Sequence, residues 1–280
     1  MKQPLSLAFY GKGGIGKSTI ASGVSSALAK SGKRVLHIGC DPKADSCRQL
    51  MGRKIPTVLD QINDLPDGIS REDILFMGVH GVGCIEAGGP HAGMGCAGMG
   101  ITAMEDELHR LGILVEDWDV IVYDVLGDVV CGGFAVPMRK RFVDRVYVVS
   151  SPEFMSLYAA NSILRGVAAC SSPGSRMCGG LILNHWGSDR DLAVMRAFSE
   201  RVDVGMAACI PESREMKLAG LRRGTVTDVF PDSSGARAVE ALAAAILAGG
   251  EGYVPAPMDD AAMDDFCDTI LSVEADDDGK

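Results

Sequence analysis

Five short runs of this chain are apolar at nearly every position: LSLAFY (5–10), RVLHIG (34–39), VIVYDV (120–125), RVYVVSS (145–151) and GLILNHW (180–186). Between and after them come helix-like segments, STIASGVSSALAK (18–30), EFMSLYAANSILRGVAA (153–169) and ARAVEALAAAILA (236–248). A run with no polar alternation suits a strand covered on both faces, and strands alternating with helices give a parallel sheet with helices packed on each side. The pattern predicts an α/β fold with a doubly wound, mostly parallel sheet. No repeat of fixed period and no Ser/Pro linker interrupts it, so one domain is expected over residues 1–250. The remainder, 251–280, is acidic and is expected as an extension, partly mobile, with the pairs at 259–260 and 264–265 as solvated charge.

The first strand-to-helix junction carries the strongest chemistry. AFYGKGGIGKSTI places Gly11, four residues, then Gly16, Lys17 and Ser18, which is the spacing of a phosphate-binding loop. Glycines let consecutive backbone N–H groups turn toward a phosphate, and the helix N-terminus adds its positive dipole. The candidate nucleotide residues are Gly11, Lys12, Gly13, Gly14, Ile15, Gly16, Lys17, Ser18 and Thr19, with Lys17 on the outer phosphates and Ser18 on Mg²⁺. Lys12, directly after the first glycine, resembles the extra lysine of deviant Walker A ATPases, dimers in which it crosses to the other subunit's nucleotide. Two aspartate segments suit the same site. GCDPKADS (39–46) brings Asp41 and Asp45 to the carboxyl end of the second strand, where doubly wound sheets bind ligands. DVLGD (124–128) ends another strand, with Asp124 as a Walker B carboxylate and Gly127 able to follow a γ-phosphate. Turn and capping chemistry is the competing reading for such aspartates.

A net charge of −10 and a pI near 5.0 argue against a broad nucleic-acid footprint or an anionic-membrane surface. The N-terminus has no signal-peptide pattern and no window reaches a membrane span, so a cytoplasmic protein is expected. In that reducing compartment the nine cysteines are packing residues, ligands or reactive groups rather than disulfides. Cys40, Cys47, Cys84, Cys170, Cys178 and Cys209 lie in or beside apolar runs or at loose spacings and are expected as ordinary thiols.

Cys96 and Cys131 are different. Cys96 sits in GGPHAGMGCAGMG, and Cys131 follows DVLGD, in DVVCGGFAVP; both loops are rich in glycine. A [4Fe-4S] cluster takes four thiolates, and a two-fold dimer would supply each of these loops twice. Two free thiols would be the alternative.

GKGGIGKST, GCDPKADS, GGPHAGMGCAG and DVLGDVVCGGFAVP, in this order, resemble the iron protein of nitrogenase and its relatives, over about residues 3–250. The resemblance implies a homodimer in which Cys96 and Cys131 ligate one shared [4Fe-4S] cluster. It implies MgATP on residues 11–19, Asp41 and Asp45 in a first switch, and Asp124, Gly127 and Asp128 in a second. Asn184 matches the position that contacts adenine, and Lys12, Lys17, Asp41 and Asp128 match the positions that act in hydrolysis. The implied activity is ATP-dependent delivery of single low-potential electrons, received from an upstream donor, to a separate catalytic component. One departure bears on that component: nitrogenase iron proteins carry an arginine after CAG, where this chain has Met99. The stretch IPTVLDQI is closer to relatives that serve tetrapyrrole-reducing, methylthio-alkane-reducing or other nitrogenase-like enzymes. A cluster carrier or a positioning ATPase is the alternative class. The acidic tail and the lack of a CxxC speak against it.

Overall fold

The computed structural model describes residues 3–65, 67–89, 97–127, 143–172 and 174–277. Eight strands are found there: β1 Leu5–Gly11, β2 Val35–Gly39, β3 Phe76–Met77, β4 Gly83–Glu86, β5 Val120–Asp124, β6 Arg145–Ser150, β7 Cys178–Trp186 and β8 Met206–Pro211. They form one sheet in the order β3-β4-β2-β5-β1-β6-β7-β8. Every pairing is parallel except β3 with β4. The five apolar runs became β1, β2, β5, β6 and β7. β3, β4 and the half-buried edge strand β8 extend the sheet beyond them.

The continuous apolar runs are explained by two cores, one on each face of the sheet. Along β1, Leu7 and Phe9 face the helices Lys17–Lys30 and Ser234–Ala248, where Ile20, Val24, Val239 and Leu242 share their cluster. Ala8 and Tyr10 point the other way, toward Met104 and Leu108 of the helix Ala97–Arg110 and Leu157 and Leu164 of Phe154–Cys170. Successive side chains of a strand alternate between faces, so a strand buried on both has no solvent-facing side and takes a polar residue only where buried partners satisfy it.

The acidic segment after residue 250 contains the helix Asp260–Asp277, and its start is docked. Met258, Met263 and Phe266 are buried in the second core, and Phe266 meets Phe198 edge-on at 5.9 Å between ring centroids. Asn161 fixes the approach by donating to the Met258 carbonyl and accepting from the Met258 N–H, each at 2.9 Å. The acid pairs at 259–260 and 264–265 are exposed. Among the described residues no helix is long and apolar enough to cross a membrane.

Candidate functional site

β2, β5 and β1 are neighbours in the sheet, so the segments leaving their carboxyl ends meet in one place. Those segments are 40–46, 125–127 and the glycine loop before the helix Lys17–Lys30. The loop turns through two left-handed residues, Gly14 at φ 83° and Gly16 at φ 91°, a conformation that costs glycine nothing. A Cβ on Gly13 or Gly14 would meet nothing within 4 Å, so this backbone borders open space. The space is a cleft of about 480 Å³, lined by the loop, Asp41, Asp45, Gly127 and the cations Lys43, Arg48 and Arg223.

Lys17 and Asp124 form an ion pair at the floor of the cleft, with side-chain exposures of 7% and 0%. Ser46 donates a hydroxyl hydrogen to Asp124 Oδ2 at 2.5 Å. Burial pushes the Asp124 carboxyl up, but the charge of Lys17, the nearby His37 and hydrogen bonds from Lys17 and Ser18 prevail and hold it below its ordinary value. Asp124 is therefore a buried carboxylate that is already ionised. Ser18 lies beside Lys17, 3.4 Å from Nζ to Oγ.

Asp41 lines the cleft while also serving its own turn, accepting the Lys43 N–H at 2.9 Å. Gly127 lies directly on the phosphate loop. A Cβ there would come within 2.3 Å of the Gly11 carbonyl oxygen and 2.8 Å of the Gly13 nitrogen. Gly127→Ala is therefore expected to push the loop out of shape and weaken MgATP binding by about tenfold, equivalent to ~1.4 kcal/mol. Calorimetric titration checks this, and unchanged affinity would mean that the two segments do not bear on one another.

Asn184 closes the far side of the loop, donating to the Ile15 carbonyl at 2.6 Å. It borders a second hollow of about 110 Å³, shared with Gly16, Thr19, Pro211 and Ser213. Of the expected residues, Lys12, Gly13, Gly14, Gly16, Lys17, Ser18, Thr19, Asp41, Asp45 and Gly127 line the cleft, Asp124 is buried beneath it against Lys17, and Asn184 borders the second hollow. Asp128, Cys96 and Cys131 lie outside the described residues. The base of the Cys96 segment is described, however, and it is tight: a Cβ on Gly100 would meet the Gly88 carbonyl at 2.7 Å. One on Gly89 would meet Pro42, inside the 41–46 segment, at 2.5 Å.

Several residues of the site escaped the sequence reading. Ser46 and Lys43 sit inside a motif noted for its aspartates, while Arg48, Gln49 and Arg223 belong to no motif. Glu86, at the end of β4, is buried against Ser46 and accepts the Cys47 N–H at 2.6 Å. Its Oε2 has no hydrogen-bond partner among the described residues, and burial pushes its pKa up to about 8. His37 stood in an apolar strand and gave no chemical signal. The six cysteines expected as ordinary thiols are free, with Cys40, Cys47, Cys84 and Cys178 buried and Cys170 and Cys209 partly so; Cys267, on the C-terminal helix, is also a partly buried free thiol. Among the described residues no group of three or more His, Cys, Asp or Glu could hold a metal ion.

The model of the family described as 4Fe-4S iron sulfur cluster binding proteins, NifH/frxC family, matches residues 5–272. The chain belongs to that family. Its relatives include nitrogenase iron protein 2 of Methanothermobacter thermautotrophicus, 45% identical over 262 residues, 93% of this chain and 96% of the relative. The nitrogenase iron protein of Methanospirillum hungatei is 45% identical over 92% of each chain. Among solved structures, the septum site-determining protein MinD of Pyrococcus horikoshii, determined with Mg-ADP, matches with a TM-score of 0.69 at 23% identity, over 88% of this chain and 98% of that one. A ParA family ATPase of Chlorobium tepidum gives 0.68 at 20%, over 86% and 98%. At that identity the likeness establishes the P-loop ATPase fold.

The residues around the cleft fit a Mg²⁺-bound nucleoside triphosphate. Open glycine backbone, a helix N-terminus and several cations face one space, with a hydroxyl and an ionised carboxylate at its floor for the metal.

Proposed function

We propose that the chain is the ATP-hydrolysing, one-electron-donating reductase of a nitrogenase-like two-component enzyme. It works as a homodimer, takes electrons from an upstream low-potential donor, and serves a catalytic component distinct from ordinary nitrogenase. Tetrapyrrole reductases, methylthio-alkane reductases and related enzymes are the candidate partners. Family membership supports the cluster-bearing reductase, and the cleft supports MgATP as its ligand. The [4Fe-4S] cluster, when bound, supplies one-electron chemistry. Cys96 and Cys131 from two chains would hold it. Residues 11–19 would bind the phosphates, with Lys17 on the outer phosphates, Ser18 on Mg²⁺, Lys12 reaching across the dimer and Asn184 on the base. Asp41, Asp45, Asp124, Gly127 and Asp128 would respond to the γ-phosphate.

The observation that carries the partner assignment is Met99. It stands three residues after Cys96 on the first turn of the helix Ala97–Arg110 and is 65% exposed. A charge at the centre of a docking face requires an opposite charge across the interface, because an unpaired buried charge costs several kcal/mol. An adaptable thioether requires none. The cognate surface should therefore lack the acid that an arginine would need.

The test is a reduction assay with reductant and MgATP. Electron delivery is expected to a nitrogenase-like catalytic component encoded near this chain, with weak or no dinitrogen reduction alongside an ordinary nitrogenase catalytic component. Met99→Arg should depress activity with the true partner. Dinitrogen and acetylene reduction at rates comparable to a nitrogenase's own iron protein would return the chain to nitrogenase proper.

A further inference from the structure

Behind the phosphate loop, on the core side of Asp124, buried side chains form a single line. Ser25 Oγ lies 2.8 Å from His37 Nδ1, His37 Nε2 lies 2.8 Å from Ser46 Oγ, and Ser46 Oγ lies 2.5 Å from Asp124 Oδ2. All four residues are at most 1% exposed. The other carboxylate oxygen, Oδ1, accepts from Lys17.

The hydrogens in this line can be placed by exclusion. An ionised carboxylate has none to give, so the single O–H of Ser46 points at Asp124. Ser46 Oγ then offers His37 only lone pairs, and Nε2 must carry a hydrogen. Burial holds the ring's pKa down to about 4, so the imidazole is neutral and Nδ1 is bare. Ser25 fills it with its own O–H. Every hydrogen bond therefore runs in one direction, from the helix Lys17–Lys30 through β2 to the end of β5.

The line also ends at a useful place. Ser46 follows Asp45 directly, its carbonyl accepts from Ser22 Oγ at 2.9 Å, and the next N–H, from Cys47, is taken by Glu86. The point where the segment 41–45 rejoins the body of the protein is thus clamped on three sides, while Ala44 just before it turns through φ 50°.

We propose that His37 is a positioning residue of the nucleotide site, whose Nε2–H tautomer keeps the Ser46 hydroxyl on Asp124 so that the carboxylate retains a fixed donor and a fixed orientation when Lys17 turns to a phosphate. This rests on the reading of residues 11–19 as the MgATP loop. With Lys17 on a phosphate, Asp124 Oδ1 would be open to a bound Mg²⁺, while Oδ2 would stay tied to the residue next to Asp45. A histidine that merely fills the core would leave the metal dependence of binding untouched.

The experiment uses the full chain in two measurements. Long-range ¹H–¹⁵N correlation of the histidine side chains, with His37 assigned from the His37→Gln variant, should show the neutral Nε2–H tautomer. The Nδ1–H tautomer or a doubly protonated ring overturns the proposal. Calorimetry then compares ATP binding with Mg²⁺ and with EDTA. In His37→Ile the gain in affinity from Mg²⁺ should fall by about tenfold while metal-free binding stays within about threefold. His37→Gln, whose amide can donate to Ser46 and accept from Ser25, should keep most of the gain. If His37→Ile fails to fold, Ser25→Val combined with His37→Ile removes both buried polar groups and carries the same comparison. A Mg²⁺ gain equal in the wild type and the apolar variant refutes the role of His37. A wild-type chain that binds no ATP refutes the nucleotide reading instead, and the tautomer still stands or falls on its spectrum.

Discussion

Lys17→Met should lower the stability of the chain by about 3–5 kcal/mol and abolish nucleotide binding. The substitution keeps the aliphatic stem in place and removes only the ammonium, which pairs with an Asp124 that is completely buried. A buried ion pair adds little net stability, because desolvating both charges offsets most of their attraction. Removing one member is different, since it leaves the other charge in a low-dielectric interior with only the hydroxyls of Ser46 and Ser18 as side-chain donors and no countercharge. Thermal unfolding should shift down by on the order of 10 °C for a chain of this size. A second change separates orphaned charge from lost packing: Lys17→Met combined with Asp124→Asn should recover much of the stability and none of the binding. The pH dependence follows with a definite sign. In the wild type the depressed pKa of Asp124 contributes stability above the ordinary carboxylate range, lost as the pH falls through the folded pKa. In the single variant the unpaired carboxylate is the penalty, so its deficit against wild type should narrow as acid neutralises it. Equal stability of wild type and Lys17→Met at neutral pH would show that the pair does not carry the floor of the cleft.

What the sequence disclosed of this site follows from what local chemistry can encode. Gly11 to Thr19 are legible because a phosphate loop needs its glycines, lysine and hydroxyl at fixed spacing in one continuous stretch. Asp41, Asp45 and Asp124 are legible because each terminates an apolar run. His37, Ser25 and Ser46 come from three elements, and nothing in their spacing announces that β2 carries the ring between the two hydroxyls. The same limit explains the fold. β1, β2, β5, β6 and β7 read as strands because two cores demand apolar residues on both faces. β8, at the sheet edge, is mostly half-buried and lacks that demand. In the C-terminal helix the acids mask a narrow apolar stripe, Met263, Phe266, Cys267 and Ile270, at the i, i+3, i+4, i+7 spacing that docks one face of a helix.

The anaerobically purified protein should contain about four irons for every two chains, held at the dimer axis, and Cys96→Ser or Cys131→Ser should each remove them. A [4Fe-4S] cluster takes four thiolates, and the family to which the chain belongs binds one. Seven of the nine cysteines lie among the described residues, and these form no group able to hold a metal there. Four of the seven are buried, and burial pushes the thiols of Cys40, Cys47 and Cys178 up, the last to about 11, against the deprotonation that ligation requires. The resemblance of GGPHAGMGCAG and DVLGDVVCGGFAVP to the family's segments implies Cys96 and Cys131 as the ligands, two per chain, and a two-fold axis would make four. The substitutions should therefore bleach the brown colour and weaken the dimer together, because the bridging group is also a crosslink. Visible absorption, iron analysis and sedimentation read the three consequences separately. The tight contact of Pro42 with Gly89 adds a further expectation: a shift of the 41–46 segment on MgATP binding reaches the base of the Cys96 loop, so a chelator should remove iron faster when MgATP is present. Four irons on each separate chain, or colour that survives both serine substitutions, would place the cluster on other ligands and undo the dimer-bridging arrangement.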